Sequence, residues 1–173
     1  MERRSPSVLP GDALPENPLR LDLQLCFRLY AASRLITRLY QPMLEPHGLT
    51  YPQYIVLMIL WEDAPCPVSH IGERALLNTN TLTPLLKRLE QQGLVQRQRR
   101  QDDERIVEIH LTETGHALRS QCACVPTELA AKAHFLPKKI ETLAALLDEL
   151  LASLGAMSGA RSVSRGRSYD CSE

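Results

Sequence analysis

Twelve side chains between residues 78 and 105 have the types and spacing needed to grip a nucleic acid. They are Asn78, Thr79, Asn80, Thr81, Thr83, Lys87 and Arg88, followed by Arg97, Arg99, Arg100, Asp103 and Arg105. Short hydroxyl and amide side chains at a helix start can approach base edges and phosphates closely, and Lys87 and Arg88 suit phosphates. Taken alone, that helix is equally an ordinary surface helix with polar caps. The arginine-rich segment after it changes the balance. Arg97, Arg99 and Arg100 lead to a hairpin tip, Asp103-Glu104-Arg105, where Asp103 can orient Arg105 towards a minor groove. The plain alternative, a solvated salt-bridged turn, would contribute little stability.

These residues need a helix and a hairpin to hold them. The pattern predicts a helix over about Thr79 to Gln92, stopped by Gly93, and two wing strands over Leu94 to Arg100 and Ile106 to Leu111. Before them, Leu25, Leu29, Ala32, Ile36, Leu39 and Met43 make an apolar stripe along a first helix, about Leu19 to Leu44. Pro46 and Gly48 end it. Thr50-Tyr51-Pro52-Gln53 has the form of a capping box that opens a second helix, to about Glu62. Pro65 and Pro67 break the chain, and a third helix covers about Val68 to Ala75. A long helix starts at Thr112, and Pro126 could kink it. Pro137 opens the last one, which shows Leu143, Leu146, Leu147, Leu150, Leu151 and Leu154 on one face.

The fold class expected is mainly α with a small β wing: a winged helix-turn-helix, dimeric through its N- and C-terminal helices. Residues 1–18, with four prolines, read as a loose arm, and residues 155–173 as a disordered tail. Residues 19–154 read as one domain. Its DNA-binding part is about 50–112, and its dimerisation helices are about 19–45 and 113–154. The end helices offer more apolar face than so small a module can cover, and a second copy is the simplest cover.

Twenty basic and twenty acidic residues cancel, so overall charge announces no partner, and an aromatic content of 5% argues against base stacking. No apolar run reaches the roughly 18 residues of a membrane span. The N-terminus lacks the continuous apolar core of a signal peptide. The five cysteines, Cys26, Cys66, Cys122, Cys124 and Cys171, fit neither a disulfide framework nor a zinc ribbon. A cytoplasmic chain with reduced thiols, no metal and no cofactor is expected.

Leu82-Thr83-Pro84-Leu85-Leu86-Lys87-Arg88-Leu89-Glu90, Gly93-Leu94-Val95, Asp103-Glu104-Arg105 and Leu111-Thr112-Glu113-Thr114-Gly115 together resemble MarR-type transcriptional regulators over roughly residues 20–152. The resemblance implies a homodimer that is not an enzyme and that binds a double-stranded, pseudo-palindromic operator. Its recognition helix would enter the major groove and Arg105 the minor groove. Leu25-Cys26-Phe27 and Leu49-Thr50-Tyr51-Pro52-Gln53-Tyr54 further resemble the organic hydroperoxide sensor branch of that family. In that branch a cysteine early in the first helix is oxidised, and two tyrosine hydroxyls contact it while it is reduced. The matching positions are Cys26, Tyr40 and Tyr51.

Without the resemblance, a lone cysteine on a helix is usually a small buried hydrophobe. Helix geometry adds a constraint. Cys26 and Tyr40 stand 14 residues apart on what reads as one helix, roughly 21 Å along its axis at about 1.5 Å per residue. A phenol cannot span that, so Tyr40 would have to reach Cys26 from a second, antiparallel chain. Hydroxyl donors would stabilise the thiolate, which attacks the peroxide and becomes a sulfenic acid. A further thiol would trap it, and the two DNA-reading heads would lose their half-site spacing. Leu23, Leu25 and Phe27 would favour an organic peroxide.

One departure concerns the second thiol. In two-cysteine members it lies past the Val-Pro of the long helix, in the next subunit. Here Val125-Pro126-Thr127-Glu128-Leu129-Ala130-Ala131 holds no cysteine. Cys124 or Cys122, about two turns earlier, would have to serve, Cys124 being nearer, or Cys26 would act alone. Cys66 and Cys171 read as incidental. The competing readings are a repressor that binds a phenolic or other small ligand between dimer helices and DNA module, and a peroxidase-like enzyme using Cys26. His47, His70, His110, His116 and His134 show no local Cys–His arrangement or metal-ligand spacing.

Overall fold

The computed structural model describes residues 17, 19–132 and 136–158. A 3₁₀ turn, Leu21–Leu23, leads through the extended Gln24 into α1, Leu25–Leu44. The helix therefore begins six residues after the expected Leu19, and Cys26 sits in its first turn. A second 3₁₀ turn, Glu45–His47, closes on Gly48 in the left-handed conformation. Then α2, Tyr51–Asp63, starts with both halves of the anticipated capping box. Gln53 Oε1 accepts from the Thr50 backbone amide at 2.8 Å and from the Thr50 hydroxyl at 2.9 Å.

The strand β1, Cys66–Pro67, precedes α3, Val68–Ala75, and α4, Thr79–Gln91. The wing strands are β2, Val95–Arg99, and β3, Val107–Leu111. They form a three-stranded antiparallel sheet in the order β1-β3-β2, with Cys66 opposite Ile109 and Arg97 opposite Ile109 on the other side. β1 leaves no mark in the sequence, because Pro65-Cys66-Pro67 looks like a chain break. The long helix expected from Thr112 is two helices, α5, Glu113–Gln121, and α6, Val125–Lys132, separated by a turn at residues 122–124. Pro126 lies in the first turn of α6, where a missing N–H costs nothing, so it starts a helix instead of kinking one. The last helix, α7, Pro137–Ser158, runs four residues past the boundary expected at 154. The rest of the expected arm and tail, residues 1–16, 18 and 159–173, lies outside the described residues.

The core gathers around α2, whose Val56, Leu57 and Leu60 are fully buried against Leu44, Ile71, Leu82, Leu86, Leu89 and Ile109. Each such aliphatic side chain contributes about 1.5–3 kcal/mol by leaving water. At the junction of α2 and α3, the Asp63 carboxylate meets His70 Nε2 and Arg74 Nη1, each at 2.6 Å. Burial works against the charge on Asp63, but hydrogen bonds from His70 and Arg74 outweigh it and hold the carboxyl below its usual range. This network ties α3 to the end of α2. In contrast, Leu25, Leu35 and Leu39 of α1 and Leu143, Leu146, Leu151 and Leu154 of α7 stand exposed in the single chain. Among the described residues no helix is long and apolar enough to cross a membrane.

Candidate nucleic-acid interface and thiol site

Asn78 caps α4: its side-chain oxygen accepts from the Thr81 amide at 2.9 Å and from the Thr81 hydroxyl at 3.0 Å. That bond sets the helix start and leaves the Asn78 amide group, Thr79 and Asn80 outward at its positive end. Leu82, Leu85, Leu86 and Leu89 bury the opposite face. Thr83, Lys87 and Arg88 are exposed, and neither Lys87 nor Arg88 forms an ion pair among the described residues.

The wing divides its arginines into two kinds. Arg97 reaches back to α4, donating through Nη2 to the Thr83 carbonyl at 3.1 Å, with Nε facing Glu90 at 3.4 Å. Arg100 makes a two-pronged bond to Glu108, both nitrogens at 2.8 Å. The Glu108 hydrogen bond, together with that charge, raises the Arg100 pKa. These two hold the hairpin in shape. Arg99 donates to the Glu104 carbonyl at 3.3 Å. At the tip, Asp103 Oδ1 accepts the backbone N–H of Arg105 at 3.0 Å, so it positions Arg105 through the main chain and not through the guanidinium. The Arg105 side chain stays exposed. A cavity of about 380 Å³ lies between wing, α3 and α4, lined by Pro67, Ser69, Thr83, Arg97, Arg105 and Val107 among others.

This division predicts different losses. Arg105→Ala should weaken operator binding by about tenfold through one charge-assisted contact. Lys87→Ala should lower the salt slope of binding by up to about one unit if it meets one phosphate. Titrations at several salt concentrations measure both.

The thiol-site residues fall into two groups. Tyr40, near the end of α1, and Tyr51, at the start of α2, pack with ring centroids 4.6 Å apart and planes tilted by 31°. Tyr54, which sequence reading did not single out, completes the cluster at 5.9 Å from Tyr40. It follows Tyr51 by three positions on α2, a helical spacing that could have flagged it. Beyond it, Trp61 packs edge-on at 6.0 Å and donates its indole N–H to the Gly115 carbonyl at 2.9 Å. Burial raises the pKa values of Tyr40 and Tyr51, with Tyr51 adding to the effect on Tyr40, and pushes Tyr54 up to about 12. All three phenols therefore remain protonated at neutral pH and able to donate.

Cys26 stands apart from this cluster. It is exposed at the opposite end of α1, beside Phe27 and Leu25. The helix between is continuous, so the separation of roughly 21 Å holds within one chain. The remaining described thiols lie elsewhere. Cys122 is buried in the turn after α5, and burial followed by the neighbouring Cys124 pushes its thiol up. Cys124, in the same turn, is exposed, with its sulfur 3.8 Å from the Gln121 carbonyl. Both act electrostatically on Tyr54, so they belong to the tyrosine end of the molecule. Cys66 is core, and burial pushes it up to about 11. Cys171 lies outside the described residues. Among the described residues no group of three or more His, Cys, Asp or Glu could hold a metal ion.

A family model described as transcriptional regulator SarA/Rot matches residues 38–121. The chain is 43% identical over 145 residues to the HTH-type transcriptional regulator TtmR of Methylorubrum extorquens (strain PA1), covering 82% of this chain and 74% of that protein. It is 42% identical over 136 residues to the organic hydroperoxide resistance transcriptional regulator of Bacillus subtilis (strain 168), covering 79% and 92%. Among solved structures, reduced AbfR bound to DNA superposes with a TM-score of 0.65 at 37% identity, covering 79% of this chain and 96% of that one. A disulfide-formed AbfR superposes with a TM-score of 0.54 at 43% identity, covering 77% and 93%.

Proposed function

Since the chain belongs to the MarR family of winged-helix transcriptional regulators and is not an enzyme, we propose that it is a repressor that leaves its operator when Cys26 is oxidised by an organic hydroperoxide. The observation that carries this reading is the placement of its parts. Two protonated phenols pack together where α1 ends and α2 begins, and an exposed thiol stands at the other end of α1. An antiparallel second copy laid along α1 brings each thiol to the other's phenols. The same copy covers the leucines that α1 and α7 leave exposed. The homodimer is then both the DNA-binding unit, with two recognition helices for a pseudo-palindromic duplex, and the sensing unit.

In this reading Tyr40 and Tyr51 donate to the Cys26 thiolate. The thiolate attacks the distal peroxide oxygen, the O–O bond breaks, and the alcohol leaves with a proton. The sulfenic acid then condenses with a second thiol, forming a disulfide and releasing water. Cys124 is the better second thiol because it is exposed, whereas Cys122 is buried. Both lie on the tyrosine side, so the arrangement that delivers Cys26 to the phenols also delivers it towards Cys124. Support comes from the Bacillus relative, whose name records organic hydroperoxide resistance, and from AbfR, solved both reduced on DNA and with a disulfide formed. In the DNA-reading part, Asn78, Thr79, Asn80, Thr81 and Thr83 approach bases and phosphates. Lys87, Arg88 and Arg99 meet phosphates, and Arg105 enters the minor groove. Arg97, Arg100 and Asp103 shape the wing that presents them.

The test is a duplex selected by the native chain from a random-sequence pool. Cumene hydroperoxide should release the native chain. Cys26→Ser should bind with native affinity and not respond, and Cys124→Ser should be released without forming a cross-linked dimer on a non-reducing gel. If Cys26→Ser is released as readily as the native chain, the thiol reading fails. A second reading, release by a small phenolic ligand, has in its favour the cavity beside Arg97 and Arg105. It predicts that salicylate releases the native chain and Cys26→Ser alike.

A further inference from the structure

Among the described residues, the exposed large hydrophobic side chains lie before or on α1 and just before or on α7, with one exception. The exception is Leu76, which is 62% exposed in the turn between α3 and α4. It is also the only non-glycine described residue with positive φ, +54°, where it ends α3 in the left-handed conformation. That conformation brings Cβ close to the backbone, and glycine or asparagine normally takes it. An unfavourable backbone and an unfavourable exposure thus coincide at one residue. Where such strain persists, a function is the usual reason to look for.

Position says what that function could be. Asn78, the cap of α4, follows Leu76 by two residues, so their Cα atoms are at most roughly 7.6 Å apart. The segment from Arg74 to Thr83 contains no carboxylate that would repel a phosphate. The hydrophobic faces left for a second copy lie on α1 and α7, not on this turn. We propose that Leu76 is a DNA contact, an apolar side chain laid against the sugars beside the groove that α4 enters, with operator DNA as its cover. This rests on the DNA-reading part of the proposed function and adds to it a residue that carries no charge and no hydrogen-bonding group. The left-handed turn is what aims the leucine outward instead of into the core.

The experiment compares the native chain with Leu76→Gly and Leu76→Asn, two residues at ease in this conformation. Binding to the selected duplex is followed by fluorescence anisotropy at several salt concentrations, alongside thermal unfolding and sedimentation. Leu76→Gly should raise Tm by roughly 2 °C through relief of strain. Both variants should bind about fivefold more weakly through lost apolar contact. The salt slope should not change, because no charge is removed. Asparagine keeps a side chain and a stiffer backbone than glycine, so a loss shared by both variants cannot come from a loosened turn. Native affinity in either variant would overturn the proposal. So would a shift from dimer to monomer, which would assign the leucine to a contact between copies. A native chain that selects no duplex would overturn the DNA reading itself, and that failure is distinct from the others.

Discussion

A mixed dimer of one Cys26→Ser subunit and one Tyr40→Phe/Tyr51→Phe subunit is expected to respond to peroxide, although neither variant responds well as a homodimer. On the proposed twofold arrangement, each site combines Cys26 of one subunit with Tyr40 and Tyr51 of the other. In the mixed dimer one site then sets the substituted serine against two phenylalanines and is dead. The other holds an intact Cys26 against two intact tyrosines, with Cys124 beside them. If thiol and phenols acted within one chain, both sites would be broken. The span of α1, roughly 21 Å between residues 26 and 40, is why the first outcome is expected. The contrast should be large. Each hydrogen bond to a charged group contributes about 1.5–3 kcal/mol, so loss of even one slows oxidation by about 10–100-fold where the thiolate is the reacting form. The tyrosine-free homodimer should show that deficit, and the Cys26→Ser homodimer no reaction at all. The mixed dimer should recover about half the native number of sites at native speed. Co-expression with two affinity tags isolates it, and stopped-flow oxidation with cumene hydroperoxide measures the rate. A mixed dimer as slow as the tyrosine-free homodimer would sink the shared site.

How far the sequence led differs from residue to residue. The DNA-reading module was legible because its signals are local. Thr50 and Gln53 cap α2, Asn78 and Gly93 bracket α4, and apolar residues at helical spacing run between. β1 was not legible, since its two residues become a strand only through their register with Ile109 and Glu108. The break after α5 was missed for another reason. A proline near a helix start and a proline at a kink look alike until the preceding residues are placed, and Cys122–Cys124 carry no turn signature of their own. In the wing, composition could not separate the arginines. Arg100 is engaged because Gln98 pairs with Glu108 across the hairpin, which brings Glu108 within its reach, while among the described residues no carboxylate forms an ion pair with Arg105. At the thiol site, Tyr40 and Tyr51 came from the family resemblance. Tyr54 was overlooked because its role depends on α1 packing over α2.

The largest loss of stability is expected from Gly115→Ala. Gly115 is buried in the first turn of α5, where that helix lies against the turn between α4 and β2. A Cβ added there would lie 2.1 Å from the Leu94 carbonyl oxygen and 3.1 Å from Leu111 Cδ2. No side-chain rotation relieves the first overlap, because the obstacle is backbone. That carbonyl already accepts the Thr112 amide at 3.1 Å, and the Thr112 hydroxyl both donates to the Gly93 carbonyl at 2.6 Å and accepts the Gly115 amide at 3.0 Å. α5 must therefore move by about an ångström, which would also pull the Gly115 carbonyl away from Trp61. The combined cost, overpacking against backbone plus disturbed part-buried hydrogen bonds, is expected to exceed about 3 kcal/mol, well outside the range of ordinary substitutions. Thr112→Ala, which removes the hydroxyl and the γ-methyl and adds no atom, should cost about 1 kcal/mol. Urea unfolding of both variants checks the ratio, and a Gly115→Ala midpoint equal to that of Thr112→Ala would refute the account. The consequence reaches function because α5 is the link between the wing and the helices proposed to form the dimer. A tilt there would alter how far apart the two heads stand, so any Gly115→Ala chain that folds should bind the selected duplex more weakly while each recognition helix keeps its own cap.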